Sequence, residues 1–173
     1  MKITPLMRPF FEQSTLTVAE DLLGKLLVFN GFRGIITETE AYIGKDDPAC
    51  HAARGRTPRT EIMFGPAGHS YVYFIYGMYH CLNFVTETID FPAGVLIRSI
   101  KLIEPESIVL NGPGKLCRHL GITREHYGLD IVNSSDFFVA DVGLKYAALT
   151  TPRIGIKQGA DKLWRFLAQD RIK

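Results

Sequence analysis

Tyr71-Val72-Tyr73-Phe74-Ile75-Tyr76-Gly77-Met78-Tyr79-His80-Cys81-Leu82-Asn83 is the stretch on which the fold turns. Aromatic and β-branched residues of this density favour a pleated strand. Tyr71, Tyr73 and Ile75 then face one side, and Val72 and Phe74 the other. Gly77 alone interrupts the run, so the pattern predicts two antiparallel strands joined by a tight turn at Tyr76-Gly77. Tyr76 would project from the tip, where a ring has little to pack against. It suits a wedge driven between flat stacked groups such as the bases of a duplex step. The competing reading is a buried sheet whose tyrosine hydroxyls find internal partners. The stretch alone leaves both open.

Outward from the hairpin, the whole chain of 173 residues has the length of one domain and enough material for a substantial core. A hydrophobic share of 46% against 22% charged residues is ordinary for a globular protein. The formal net charge of +2 gives no bulk-charge sign of a nucleic-acid binder and leaves room for a local basic patch. The first residues lack the apolar run of a signal peptide, and no apolar run is long enough to span a bilayer. Cys50, Cys81 and Cys117 are isolated, with no C-x-x-C pair, so neither a zinc site nor a disulfide framework is expected. These features together suggest a reducing cytoplasm.

Upstream, Thr17-Val18-Ala19-Glu20 fits a capping box, with Thr17 as N-cap of a short helix that Gly24 closes. Residues 26–29 read as a strand, Asn30-Gly31 as a hairpin turn, and residues 35–42 as the return strand. Alternation there puts Glu38 and Glu40 on one face, opposite Thr37, Thr39 and Ala41. Residues 44–66 lose the two-residue period and form a long polar loop, the kind that in compact domains is usually functional or disordered. Arg54, Arg56 and Arg59 in it are the one dense basic cluster, suited to phosphate contact or to plain solvation. Downstream, residues 93–103 read as a strand with Arg98 on the face of Leu96 and Ile100. A guanidinium there needs a carboxylate partner, and Glu38 and Glu40 are available. Lys115 to Leu120 should open a helix ended by Gly121, whose N-terminus with Lys115 could hold a phosphate. Residues 137–141 and 152–156 read as strands, and residues 160–169 as a final helix. The expected fold is mixed α/β (α+β), one domain over residues 1–173, built on a curved, largely antiparallel sheet with an aromatic hairpin and peripheral helices.

For chemistry, Glu40 is the first candidate: a carboxylate opposite an arginine can stay ionised and orient a water as general base. Glu38 is the alternative on the same face, and a purely structural ion pair with Arg98 is the plain reading of either. A metal set built from His51 with Asp46, Asp47 or His80 lacks any tight ligand spacing, so no metal and no cofactor are expected.

Glu38-Thr39-Glu40-Ala41-Tyr42, Cys50-His51, Arg56-Thr57-Pro58-Arg59, Met63-Phe64, the aromatic hairpin, Gly94-Val95-Leu96-Ile97-Arg98, Gly112-Pro113-Gly114-Lys115-Leu116-Cys117, Pro152-Arg153-Ile154-Gly155-Ile156 and Trp164-Arg165-Phe166 occur in this order. Together they closely resemble the alkyladenine (3-methyladenine, methylpurine) DNA glycosylase family over nearly the whole chain. The resemblance implies a DNA repair hydrolase that flips an alkylated purine from duplex DNA and cuts its N-glycosidic bond. Glu40 would activate water with help from Arg98, and Tyr42, His51, Tyr73 and Asn83 would form the base pocket. Asn83 would exclude guanine through its exocyclic amino group, and Tyr76 would fill the gap in the duplex. Arg54, Arg56, Arg59 and Lys115 would meet phosphates.

Thr60 stands where the family commonly has asparagine, and Cys50 where alanine is common; both lie in the loop and leave lesion preference open. The chemistry fits: an alkylated, electron-poor purine leaves without a strong acid, so one carboxylate suffices and no paired glycosidase carboxylates are needed. No lysine in the matched pocket positions offers a Schiff base, which favours hydrolysis without strand cleavage. The expected partner is double-stranded DNA with damaged bases, met by a monomer in a bacterial-type cytoplasm, nucleoid-associated through DNA, without membrane contact. Two rival readings are a non-catalytic nucleic-acid module using the same hairpin and a metal-dependent nucleoside hydrolase using His51.

Overall fold

A computed structural model of the chain describes residues 1–172, with side chains through residue 170. Ten strands form a single sheet: β1 (Thr4–Pro5), β2 (Leu26–Phe29), β3 (Phe32–Ile43), β4 (Ser70–Ile75), β5 (Tyr79–Val85), β6 (Ala93–Glu104), β7 (Ile108–Asn111), β8 (Phe137–Asp141), β9 (Lys145–Thr151) and β10 (Arg165–Ile172). Three helices accompany them: α1 (Arg8–Phe11), α2 (Thr15–Asp21) and α3 (Pro113–Leu120). The strand order is β1-β8-β2-β3-β6-β5-β4, with β7 beside β6 and with β10 joining β3 to β9. Every one of these pairings is antiparallel. The architecture is α+β, as the sequence pattern predicts.

The long strands β3 and β6 form the spine. One sheet face, carrying Ile36, Ala41, Val95, Ile97, Ile100 and Leu102, packs against Val18, Ala19 and Leu22 of α2 and Leu116, Cys117 and Leu120 of α3. The other face holds two smaller apolar clusters. One is Leu26, Val28 and Ile35; the other joins Cys50, Ala52, Met63 and Phe64 of the polar loop to Tyr71 and Val85. That loop is ordered by two 3-10 turns, His51–Arg54 and Glu61–Phe64.

The 71–83 stretch is the β4–β5 hairpin, with Ile75 opposite Tyr79 and Tyr71 opposite Asn83. Tyr76 and Gly77 have φ of 55° and 64°, and the Met78 amide donates to the Ile75 carbonyl at 3.2 Å. Two positive φ angles in a two-residue loop make a type I′ turn, which matches the twist of the strands. The Asn30-Gly31 turn between β2 and β3 has the same signs, at 45° and 89°. On its far side the hairpin rests on α3: a Cβ at Gly114 would come within 2.7 Å of the Tyr79 ring, so only glycine permits this approach.

Five expectations change. Ser14, not Thr17, caps α2, its hydroxyl accepting from the Thr17 amide at 3.3 Å; the helix begins three residues earlier than a Thr17 cap would place it. Helix α3 begins at Pro113 rather than Lys115, since proline suits the first helical position. Residues 152–156 are coil, because β9 occupies the preceding Lys145–Thr151 and Pro152 cannot extend its ladder. Residues 160–169 form no helix: β10 begins at Arg165, pairs with β3 and β9, and sends Trp164, Phe166 and Ala168 toward the main core with period two. Pairing on both sides overrides the helix propensity of Ala, Leu and Gln.

The fifth change matters most for function. The β3–β6 register shifts between Ile36 and Glu38 and again between Glu38 and Thr39, leaving Thr37 and Arg98 as extra residues. Ile36 and Ile100 therefore face the helices, while Glu38, Glu40, Arg98 and Ser99 face the opposite side. Arg98 shares a face with Leu96 but not with Ile100. Bulges of this kind re-aim side chains at functional positions.

Candidate active site

On the face away from the helices, register aligns Tyr71, Asn83, Leu96, Glu40 and Arg165 across β4, β5, β6, β3 and β10. A cleft of about 660 Å³ opens above this row. Tyr42, His51, Tyr71, Tyr73 and Asn83 line it on one side, and Ile154 with its neighbours on the other; Tyr76 stands at its mouth and Gly112 to Lys115 of the α3 start border it. Its aromatic lining suits a flat ligand, and its volume is ample for one the size of a base.

Glu40 lies below this lining, with no exposed surface. Arg98 Nη1 donates to its Oε1 at 3.0 Å, and the Ile154 amide reaches both oxygens at 3.3 and 3.4 Å. Tyr42 Oη donates to Oε2 at 3.4 Å. Burial pushes the Glu40 carboxyl above its usual range; Arg98 and then the Ile154 amide pull against that rise, and the Glu38 charge adds to it. Glu38 is also pushed up by burial, but Arg165, Ser99 and Arg98 outweigh this and hold it below the usual range. Two carboxylates on one strand face thus differ in proton affinity because they differ in partners. Arg98 pairs with both, as the sequence requires of a buried guanidinium.

The aromatic residues form a connected wall. His51 Nδ1 is 2.9 Å from the Tyr71 hydroxyl, and its ring stands edge-on to Tyr73 with centroids 4.6 Å apart. His51 keeps solvent-exposed surface, yet desolvation of the ring, with the Arg59 charge, pushes its pKa down to about 4. It is therefore neutral at physiological pH. Burial raises the Tyr71 hydroxyl to about 12 and the Tyr42 and Tyr73 hydroxyls further still, so all three remain protonated. Asn83 is buried and its Nδ2 donates to the Tyr71 carbonyl at 3.1 Å, which pins the amide in the cleft wall.

The basic residues separate. Arg54 and Lys115 are exposed and line the cleft. Arg59 lies over the Tyr73 ring at 5.0 Å. Arg56 is already engaged: it pairs with Glu61 at 2.7 Å and with Asp90, and stacks over Phe64. Tyr76 is 77% exposed, and Phe74, Met78 and Tyr79 around it are exposed as well.

Sequence reasoning missed two arrangements. Arg153 and Asp47 form a wholly buried bidentate pair at 2.6 and 2.9 Å. The same guanidinium donates to the Ala41 carbonyl at 2.9 Å and lies between the Tyr42 and Trp164 rings. It ties the end of β3, the polar loop and the Ile154 segment together. Asp47, weighed above as a metal ligand, is occupied by this pair, and among the described residues no group of three or more His, Cys, Asp and Glu side chains could hold a metal ion. The second is Arg165, whose Nε donates to Glu38 Oε1 at 2.6 Å. The signal for both was a charged residue inside an otherwise apolar run, which demands a partner.

A buried carboxylate beneath an aromatic cleft, with a projecting ring at its mouth, is an arrangement suited to a flat ring system. The methylpurine-DNA glycosylase family matches residues 9–172. A Rickettsia felis protein provisionally named 3-methyladenine DNA glycosylase is 60% identical over 172 residues, covering 99% of this chain and 97% of its own length. Its Rickettsia rickettsii (strain Sheila Smith) counterpart of the same name is 60% identical over 169 residues, covering 98% and 92%. A Wolbachia relative from Brugia malayi, again of that name, is 61% identical over 161 residues, covering 93% and 95%. The chain belongs to the methylpurine-DNA glycosylase family, so it is a DNA glycosylase, a hydrolase of DNA repair. Among the described residues no helix is long and apolar enough to cross a membrane.

Proposed function

We propose that the protein removes 3-methyladenine and related alkylated purines from duplex DNA by flipping the base and hydrolysing its N-glycosidic bond with a Glu40-activated water. The observation that carries this reading is the Glu40 carboxylate, wholly buried and hydrogen-bonded to Arg98, the Ile154 amide and Tyr42, all three of which line the cleft. Tyr76 enters the stack as the lesioned nucleotide rotates out, and the purine lies against Tyr42, His51 and Tyr73. Water attacks C1′, its proton passes to Glu40, and the electrons of the C1′–N bond go to the purine. A cationic alkylated purine leaves neutral, so no acid is required. The Arg98 guanidinium favours the ionised form of that carboxylate, against the burial that raises its proton affinity. The proposed reaction ends at base release, without a strand-cleaving step. Duplex DNA is met by a monomer, with Arg54, Arg59 and Lys115 as the freest of the predicted phosphate contacts.

Glu40→Gln tests the reading, since the amide keeps the shape and loses the proton acceptor. Single-turnover release of 3-methyladenine should fall by about 10²–10⁴-fold, while binding to a duplex with an abasic-site analogue stays near the parent value. Release within about tenfold of the parent would remove Glu40 from the role of base.

A further inference from the structure

We infer that Glu38 and Arg165 are a positioning pair that divides the Arg98 guanidinium between two carboxylates and so sets the protonation of Glu40. The inference rests on Glu40 being the base. Glu38 Oε1 receives Arg165 Nε at 2.6 Å and Arg98 Nε at 3.0 Å, while Oε2 receives the Ser99 hydroxyl at 2.8 Å. Arg98 uses Nε on Glu38 and Nη1 on Glu40. Two anions and two cations therefore form a chain, Arg165, Glu38, Arg98, Glu40, laid across β10, β3 and β6. Glu40 is its wholly buried end, where each neighbouring charge counts most.

Without Arg165, Glu38 would balance its charge on Arg98 alone and draw that cation away from Glu40. Without the Glu38 charge, Arg98 would serve Glu40 undivided. The two changes act on Glu40 in opposite directions. The other groups facing it are Tyr42 from β3, Cys81 from β5, Arg153 and the Ile154 amide from the coil after β9, and none of them is altered by either change. The β3–β6 bulges give the chain its continuity, because they bring Glu38, Arg98 and Ser99 onto one face.

The test uses the intact protein and two readouts. Carboxyl ¹³C chemical shifts of Glu40 in the free protein report its titration directly. Single-turnover excision of 3-methyladenine, a lesion with fixed positive charge, reports the acid limb of the rate. Glu38→Gln should move the Glu40 titration and the acid limb to lower pH, and Arg165→Gln should move both to higher pH. At a fixed pH on that limb, each variant should differ from the parent by about tenfold relative to its own plateau, in opposite senses. Arg165→Lys, which restores the charge, should return the limb toward the parent. Should Arg165→Gln not fold by circular dichroism, the direction of the Glu38→Gln shift decides alone. No displacement, or displacement of both variants in the same direction, overturns the inference. Displacement of the titration as expected, in a protein whose Glu40→Gln form remains active, would overturn the role of Glu40 as base and leave the charge chain standing.

Discussion

Tyr76 should be a residue whose replacement makes the protein more stable and less active. Its φ of 55° is a left-handed conformation that costs a side chain with a Cβ about 1–2 kcal/mol. With 77% of its surface exposed, the ring returns little of that through packing in the free protein. Asparagine tolerates this conformation best among non-glycine residues, and the chain itself uses Asn30-Gly31 for its other type I′ turn. Tyr76→Asn should therefore gain about 1 kcal/mol, which in a chain of this length raises the melting temperature by roughly 2–4 °C. The same change removes a ring whose stacking in the duplex is worth about 1–3 kcal/mol, a factor of about 5–150 in the flipped population. A thermal melt without DNA measures the first effect. A fluorescent base analogue beside the lesion, followed together with single-turnover release, measures the second. A lower melting temperature would show that the ring packs against the hairpin rather than standing free. An unchanged extruded fraction would show that another residue, such as the exposed Met78, fills the gap.

Asn83→Ala should raise release of guanine and 7-methylguanine relative to 3-methyladenine, because the amide pinned to the Tyr71 carbonyl cannot retreat from a 2-amino group; an unchanged ratio of single-turnover rates places the gate elsewhere. Binding to undamaged duplex should weaken steeply with salt, and replacing Arg54 and Lys115 together should flatten the log-affinity slope by about two. Arg56→Ala should change that slope less, since Arg56 is already paired with Glu61 and Asp90; an equal change would mean that DNA displaces those pairs. Asp47→Ala should cost about 3–5 kcal/mol in urea unfolding, because it strands the buried Arg153 charge, and a loss under about 1 kcal/mol would mean that water or another group takes its place.

The hairpin was legible because its cues are local. An alternating aromatic run and one glycine fix strands and turn, and the structure puts Tyr71, Tyr73 and Ile75 on the one face that alternation predicts. The need of Arg98 for a carboxylate was legible too, since it follows from the cost of a buried charge. What the sequence could not give was any property that depends on two strands at once. β10 has a helix-forming composition, and only the pairing edges of β3 and β9 make it a strand. The same holds for Arg153, whose partner Asp47 is over a hundred positions away.

The bulges carry this argument furthest, because in them the gap in legibility and the site coincide. Strict alternation from Ile36 would put Glu38 and Glu40 with it on the helix-packed face, and alternation from Ile100 would put Arg98 there as well. The result would be two carboxylates and a guanidinium sealed in the apolar core, away from any substrate. One extra residue on each strand, Thr37 on β3 and Arg98 on β6, shifts all three to the cleft face while Ile36, Ile97 and Ile100 stay in the core. A bulge leaves no mark in one strand's composition, since it is a mismatch in count between partners. The sequence therefore shows which residues the chemistry needs, and the pairing of β3 with β6 decides that they meet beneath the aromatic cleft.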